Sequence, residues 1–564
     1  MKMFKKPVLV LLALFVVITF IHIDGFVSVQ AAADIEGSGE RIAIYFNGSR
    51  AGNSYAYTIN SGIYVPTTMI GIYMKNPGIT VDEKNRKIVI DITKQNLLLE
   101  NQEVTDFVKQ NMIQASIPLR YIDNQCYFPL DVLESFFNVT YELSGRTLFI
   151  EKGFQSANLG KINKGNVRVK PSVLDEKSED LVLKNNEIVQ ILKESDNYYK
   201  VLSQDGITCF VPKTDIDMLD ANFSELDFYN FKRDKTDYSK SKISIVWEYV
   251  YQNTPLPDEE KNDAVDIISP TWFYIEDAQG NVANKADKGY LNHVKSLGYE
   301  VWGLTTNSFN PDWTHKILNN EALTKKVAAQ LLFYASLYNL DGINIDFESV
   351  KDEDRNGLTN FVSLMRYYTE KQGLYLSVDV LIPTAWSIEY DYAALSKLVD
   401  YIAVMTYDEH WSSSQTAGSV ASLNWVENAV NNSLKMIPSE KILLGVPLYT
   451  RLWAETKTNG TTTVTSVSQS MEQVRQLISD KNLSVKWLDQ EKQYYIEYTE
   501  SGKTYKVWIE DSRSIAHKLE LIQKYGLGGS AAWRKGFEEK KVWRVFEDIV
   551  KNNVPASEYK NMDY

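Results

Sequence analysis

From residue 242 onward the chain alternates eight times between a short apolar run of β-forming residues and an amphipathic helical stretch. The runs are ISIVWEYV (243–250), AVDIISPTWF (264–273), YEVWGLTTN (299–307), GINIDFE (342–348), LYLSVDVLI (374–382), VDYIAVMTY (399–407), KILLGVPLY (441–449) and GSAAW (529–533). Near-continuous apolar runs mark strands that are covered on both faces. Between them, Leu323, Val327, Leu331, Tyr334 and Tyr338 share one helical face, and Leu358, Phe361, Val362 and Met365 share another. This pattern over residues 242–552 predicts an α/β fold, a (β/α)8 (TIM) barrel. The stretch between the seventh and eighth runs is longer than one helix needs and carries a hairpin signal, QYYIEYT-ESGK-TYKVW. A small β-rich insertion is expected there.

Three segments precede the barrel. Lys2, Lys5 and Lys6, the apolar run 7–21 and the small residues Ala31, Ala32 and Ala33 form an export-signal pattern over residues 1–33. Fifteen apolar residues are short for a membrane span, so cleavage is favoured over a retained anchor, and the mature protein is expected to be secreted and wall- or spore-envelope-associated. Residues 40–152 read as an α+β module with an internal echo: Tyr64-Val65-Pro66 and Tyr127-Phe128-Pro129 lie about 60 residues apart. On these motifs the segment resembles the copper amine oxidase N-terminal-like domain, expected to be a wall-facing stalk or binding module; it has no His. Residues 160–218, through Asn166-Val167-Arg168-Val169-Lys170-Pro171, Tyr198-Tyr199-Lys200-Val201 and Gly206 to Val211, resemble a bacterial SH3-type domain, a small β-barrel. The polar segment 219–241 reads as a linker.

Charge and composition narrow the chemistry. Lys+Arg is 60 against Asp+Glu 73, a formal net charge of -13, which argues against a nucleic-acid partner. Two cysteines, Cys126 and Cys209, lie in different modules and are not expected to bridge. None of the five histidines forms an HxxxH or HExxH pair, so neither metal nor cofactor is expected. A monomer is expected. The 34 Tyr and 12 Trp supply flat faces suited to sugar rings, although packing uses them equally well.

The most specific feature is Leu340-Asp341-Gly342-Ile343-Asn344-Ile345-Asp346-Phe347-Glu348. In a strand, Asn344, Asp346 and Glu348 share one face and Ile343, Ile345 and Phe347 the other. The polar column would point into the barrel and rise toward its C-terminal mouth, where barrel active sites lie. Barrel interiors are normally apolar, so an amide and two acids there imply chemistry.

The stretch DGINIDFE resembles the Asp-Gly-x-Asp-x-Asp-x-Glu signature of glycoside hydrolase family 18, the chitinase-like barrels, with Asn344 where the middle Asp stands. The Asn form is similar to spore cortex-lytic and related peptidoglycan-active members. Met405-Thr406-Tyr407-Asp408 resembles the family's Met-x-Tyr-Asp motif, Gly445 to Arg451, with Tyr449 and Arg451, resembles its seventh-strand motif, and Trp533 falls where the family places an aromatic floor under the sugar. The third strand has Leu304-Thr305-Thr306-Asn307 in place of Ser-x-Gly-Gly.

The resemblance implies a retaining, substrate-assisted glycosidase. Glu348 would be the acid and base, Asp346 would hold the acetamide N–H, and Tyr407 would orient the acetamide carbonyl. Asn344, Met405, Asp408, Trp533, Tyr449 and Arg451 would bind substrate. The substrate would be an N-acetylated glycan, with peptidoglycan favoured, chitin or chitooligosaccharide as the alternative, and a non-hydrolytic lectin as the rival from another class. An amide at 344 removes one repelling carboxylate, so Asp346 is expected to ionise more easily and the acid limb of the pH profile to change. Trp247, Tyr249, Trp272, Tyr274 and Trp411 are further candidate sugar platforms, and Glu409 and His410 are expected in a solvated loop at the mouth.

Overall fold

The computed structural model describes residues 41–59, 62–74, 76, 78–92, 111–137, 139–152, 159–165, 167–169, 181–202, 208–219, 235–251, 260–458 and 460–560. The export signal expected at 1–33, residues 220–234 of the expected linker, and Asn166, Lys170, Pro171 and Gly206 of the SH3-type pattern lie outside the described residues.

All eight apolar runs form strands: β1 (Ile243–Glu248), β2 (Ile267–Pro270), β3 (Glu300–Thr306), β4 (Gly342–Asp346), β5 (Tyr375–Leu381), β6 (Tyr401–Met405), β7 (Ile442–Pro447) and β8 (Gly529–Trp533). Each pairs in parallel with the next, and β8 pairs back on β1, with Ile243 opposite Gly529. The sheet is therefore a closed (β/α)8 barrel without edges. The helices lie where the periodicity put them. In α1 (Glu321–Leu337), Val327, Leu331 and Tyr334 are buried, and in α2 (Arg355–Lys371), Leu358, Phe361, Val362 and Met365 have no exposed surface. Between β7 and β8 sits the insertion, a five-stranded antiparallel sheet with a helix at Met471–Lys481. A buried pair, Lys518 with Glu510 at 2.9 Å, joins its last strand to α3 (Ser512–Tyr525).

The barrel's N-terminal end is plugged by aromatics. Trp302 stacks on Tyr375 at 4.9 Å, and Tyr238 packs at 5.7 Å on the same ring. Lys235 pairs with Asp400 at 2.8 Å. Residues 235–241, expected as free linker, thus cap the bottom of the barrel. Packing also continues past residue 552, since Ala556 and Tyr559 are buried against the barrel's helices.

In the first module the two echo motifs pair with each other. Tyr64, Val65 and Pro66 lie antiparallel to Pro129, Phe128 and Tyr127, so the two hairpin–helix–hairpin units meet about a local dyad. This module packs on the barrel. The Ser116 N–H donates to the Tyr334 hydroxyl (2.9 Å), Asn284 donates to the Ser116 carbonyl (3.0 Å), and Arg120 pairs with Asp287 at 2.7 Å. Phe136 packs on Phe333, and the two cores are continuous. The described residues between 159 and 219 include a small sheet of five antiparallel strands over Val189, Val201, Cys209 and Val211. Cys126 and Cys209 are both free thiols. Among the described residues no helix is long and apolar enough to cross a membrane.

Candidate active site at the barrel mouth

The signature strand divides into a structural base and a reactive top. Asp341 accepts from the Val301 N–H and from Lys295, both at 2.9 Å, and so ties the start of β4 to β3. A Cβ at Gly342 would lie 2.7 Å from Trp302, so glycine there lets the indole fill the barrel floor. One level up, Asn344 is 2% exposed and fully satisfied. Its carbonyl accepts from Trp247 Nε1 (2.9 Å) and Ser269 Oγ (3.1 Å); its amide donates to Ser377 Oγ (2.9 Å) and Asp379 Oδ1 (2.8 Å). Two donors and two acceptors match all four capacities of the amide and fix its orientation. Losing any one partner would cost about 1–3 kcal/mol.

Above it three carboxyls converge. Asp346 is buried on β4, Glu348 is half-buried just past the strand end, and Asp379 is buried on β5. Among the described residues no cationic side chain pairs with any of them. Burial, reinforced by Glu348 and Asp379, holds Asp346 well above the usual carboxylate range. Burial and then Asp408 push Glu348 up to about 7. Asp346 is thus raised even with an amide at 344. The amide removes one like charge, but burial dominates and Asp379 on the neighbouring strand supplies another.

Glu348 is held by its backbone. Asn307, fully buried at the end of β3, accepts from the Glu348 N–H (3.1 Å) and donates to the Glu348 carbonyl (2.6 Å). Tyr390 donates to the carbonyl of Phe347 (2.9 Å). Sequence reading missed Asp379, Asn307 and Tyr390. For Asp379 a signal existed, because Ser377 and Asp379 are polar residues two apart in an otherwise apolar strand, and so share its inward face.

The remaining expected residues fall into two groups. Tyr407, half-buried, lies edge-on to Trp247 (6.4 Å) and faces Asp379, Asp346 and Glu348. Met405 is buried at the end of β6, and Trp533 is half-buried at the end of β8, 6.2 Å from Trp247. Asp408, Tyr449 and Arg451 form an adjoining cluster: the Tyr449 hydroxyl donates to Asp408 (2.6 Å), and Arg451 lies 3.6 Å from the same oxygen. Among the platform candidates, Trp247 and Trp272 are buried core residues, which removes them as sugar platforms. Tyr249 and Trp411 are exposed and Tyr274 is half-buried. Trp386, unnoticed in the sequence, is 91% exposed in the loop after β5. Glu409 and His410 are not merely solvated: Glu409 accepts from the Ser422 N–H (2.8 Å), and the His410 ring packs against Gly418. Among the described residues no group of three or more His, Cys, Asp or Glu side chains is placed to hold a metal ion.

A closed (β/α)8 barrel with protonatable carboxyls at its mouth, in a cation-free layer flanked by Tyr and Trp, has the parts for acid-catalysed cleavage of a glycan. Comparison makes the class definite. Residues 310–537 match the model for Glycosyl hydrolases family 18. The barrel thus carries a family 18 domain, and the protein is a glycoside hydrolase. It is 28% identical over 296 residues to the uncharacterized glycosylase YvbX of Bacillus subtilis (strain 168), covering 50% of this chain and 83% of that one. It is 26% identical over 255 residues to the cortical fragment-lytic enzyme of the same organism (44% and 58%) and 27% identical over 301 residues to the di-N-acetylchitobiase of Rattus norvegicus (48% and 79%). A C-terminal domain from Desulfitobacterium hafniense DCB-2 aligns with a TM-score of 0.51 at 23% identity, covering 55% of this chain and all of that domain, which supports the fold.

Proposed function

We propose that this protein is a secreted enzyme that hydrolyses the bond after N-acetylglucosamine in peptidoglycan, with retention and with the substrate's own acetamide as nucleophile. The observation that carries this reading is the pairing of Glu348, pushed up to about 7 and so partly protonated near neutrality, with Asp346 one step down the same strand face. Glu348 donates its proton to the glycosidic oxygen as the bond to the anomeric carbon breaks. The acetamide carbonyl oxygen closes on that carbon to give an oxazolinium ion. Asp346 accepts from the acetamide N–H, and the Tyr407 hydroxyl donates to the acetamide oxygen. Glu348, now a carboxylate, takes a proton from water as that water attacks, and the ring reopens.

Peptidoglycan is favoured by the Asn344 form of the signature and by the likeness to a cortical fragment-lytic enzyme. The likeness to a di-N-acetylchitobiase supports chitooligosaccharide as the second reading. The test is mass spectrometry of fragments released from purified peptidoglycan and from chitooligosaccharides by the mature chain, with Glu348→Gln as control. Fragments with N-acetylglucosamine reducing ends that depend on Glu348 are expected from peptidoglycan. Release from chitooligosaccharides alone would transfer the assignment to the second reading, and release from neither would overturn both.

A further inference from the structure

Asp379 has no part in the reaction outlined above, yet it is the third carboxyl of the mouth. The register Asn344 to Ser377 and Ile345 to Val378 brings Asp379 beside Asp346 one step further along adjacent parallel strands. Both are inward-facing and buried, 2% and 8% exposed. Asn344 donates to Asp379 Oδ1 at 2.8 Å, while Asp346 Oδ1 is buried without a hydrogen-bond partner. The groups that face this pair are Asn344 and Glu348 from the β4 segment, Trp247 from β1, Tyr407 after β6, and Tyr390 from the loop after β5. None of them is a cation.

Two neighbouring buried carboxyls without a cation cannot both ionise, so the pair keeps a proton. Burial raises Asp379 to about 8, with Glu348 adding to the rise and the amide of Asn344 opposing it. The Asn344 amide cannot turn round to accept a proton, because its carbonyl is already held by Trp247 and Ser269.

Resting on the proposed substrate-assisted reading, we infer that Asp379 is a positioning residue that shares one proton with Asp346 and takes it as positive charge develops on the sugar. The proton leaves the Asp346 carboxyl and binds the Asp379 carboxylate, so Asp346 carries the single negative charge next to the oxazolinium ion. Asp379 thus supplies the second carboxyl from the neighbouring strand, at a site where residue 344 is an amide.

The test compares acid limbs of kcat/KM against pH, on whichever substrate the wild-type chain cleaves, for D379N, N344D and the swap N344D/D379N. In D379N an amide N–H replaces the competing carboxyl, so Asp346 ionises more easily and the limb moves down by about one pH unit. In N344D an added carboxyl holds a further proton and the limb moves up. The swap keeps one carboxyl beside Asp346, with Trp247, Ser269 and the amide introduced at position 379 all able to donate to it, and the limb returns toward wild type. A D379N limb that coincides with wild type, or an N344D limb that moves down, would overturn the inference. If D379N does not fold, N344D and the swap decide. A wild-type chain that cleaves nothing would sink the proposed function instead. The inference then rests on infrared difference spectra at about pH 6, where D379N should lack one protonated-carboxyl band that wild type has; an unchanged band would overturn it.

Discussion

Asn307 grips both backbone groups of Glu348, accepting from its N–H at 3.1 Å and donating to its carbonyl at 2.6 Å. Glu348, the acid of the proposed reaction, lies beyond the last ladder bond of β4, so this side chain from the neighbouring strand does for Glu348 what strand pairing does for Asp346. Thr314 accepts from the same amide at 2.9 Å and keeps it in place. Replacing Asn307 with Ala would free the peptide that aims the carboxyl. A loss of about 10²-fold in kcat is expected, with KM little changed, because misplacement of about 1 Å costs that much. Unfolding should show a loss of about 1–3 kcal/mol from the orphaned backbone groups. Equal kcat in the Ala variant would show that Glu348 needs no such clamp.

Glu348→Gln separates chemistry from stability. Removing the proton donor should lower kcat by about 10²–10⁴-fold. The stability effect has the opposite sign. Glu348 is raised to about 7 in the fold by burial and Asp408, against about 4.3 for an unfolded chain. Between those values the native state binds more protons than the unfolded one, so stability falls as pH rises through the window. Glutamine does not ionise. The variant should therefore match wild type below about pH 4 and exceed it above about pH 7, by on the order of 2 kcal/mol. Urea unfolding at about pH 4 and 8 would check this, and a variant less stable than wild type at the higher pH would contradict it.

The parts of this fold that sequence reading reached are those governed by local pattern. The eight strands were visible because runs such as KILLGVPLY must be apolar on both faces. The inward column Asn344, Asp346, Glu348 was visible because a period of two assigns a face. What it could not reach depends on partners far along the chain. Asn307 closes a short apolar strand and looks like any turn residue until it is seen bonding to Glu348, 41 residues away. Trp247 and Trp272 resemble exposed platforms near strand ends, yet one is a donor to Asn344 and the other packs under Tyr290 and Tyr338. Linker composition equally hides that Tyr238 caps the barrel floor.

The first module and the barrel should unfold as one unit. Arg120 and Asp287 are 15% and 1% exposed at the side chain, and Asp287 also caps the helix Lys288–Ser296 through the Tyr290 N–H at 2.9 Å. Removing the arginine strands a buried carboxylate, so Arg120→Met should cost about 3–5 kcal/mol. The double variant Arg120→Met/Asp287→Asn keeps a cap and drops the lone charge, and should recover part of that loss. Calorimetry should show the module and the barrel shifting together in one transition. Two transitions, with only the lower one shifted, would mean that the shared core does not couple them.

Tyr407 offers the cleanest separation of binding from folding. Its ring is wedged between Trp247 and Tyr449 at 6.4 and 6.5 Å. Its hydroxyl makes no hydrogen bond among the described residues, although it faces Asp379, Asp346 and Glu348. Removing a hydroxyl that bonds to no described residue breaks no hydrogen bond within the described protein, so Tyr407→Phe should keep its stability within about 0.5 kcal/mol. In the proposed reaction the same hydroxyl would donate to the acetamide oxygen that attacks the anomeric carbon, as a donor whose ring is already held in place by its neighbours. Removing a donor of that kind costs about 10²–10³-fold in kcat. Tyr407→Phe should therefore lose activity at nearly constant stability, measured by initial rates beside urea unfolding. Full activity in the Phe variant would remove Tyr407 from the reaction and leave its ring as a packing element alone.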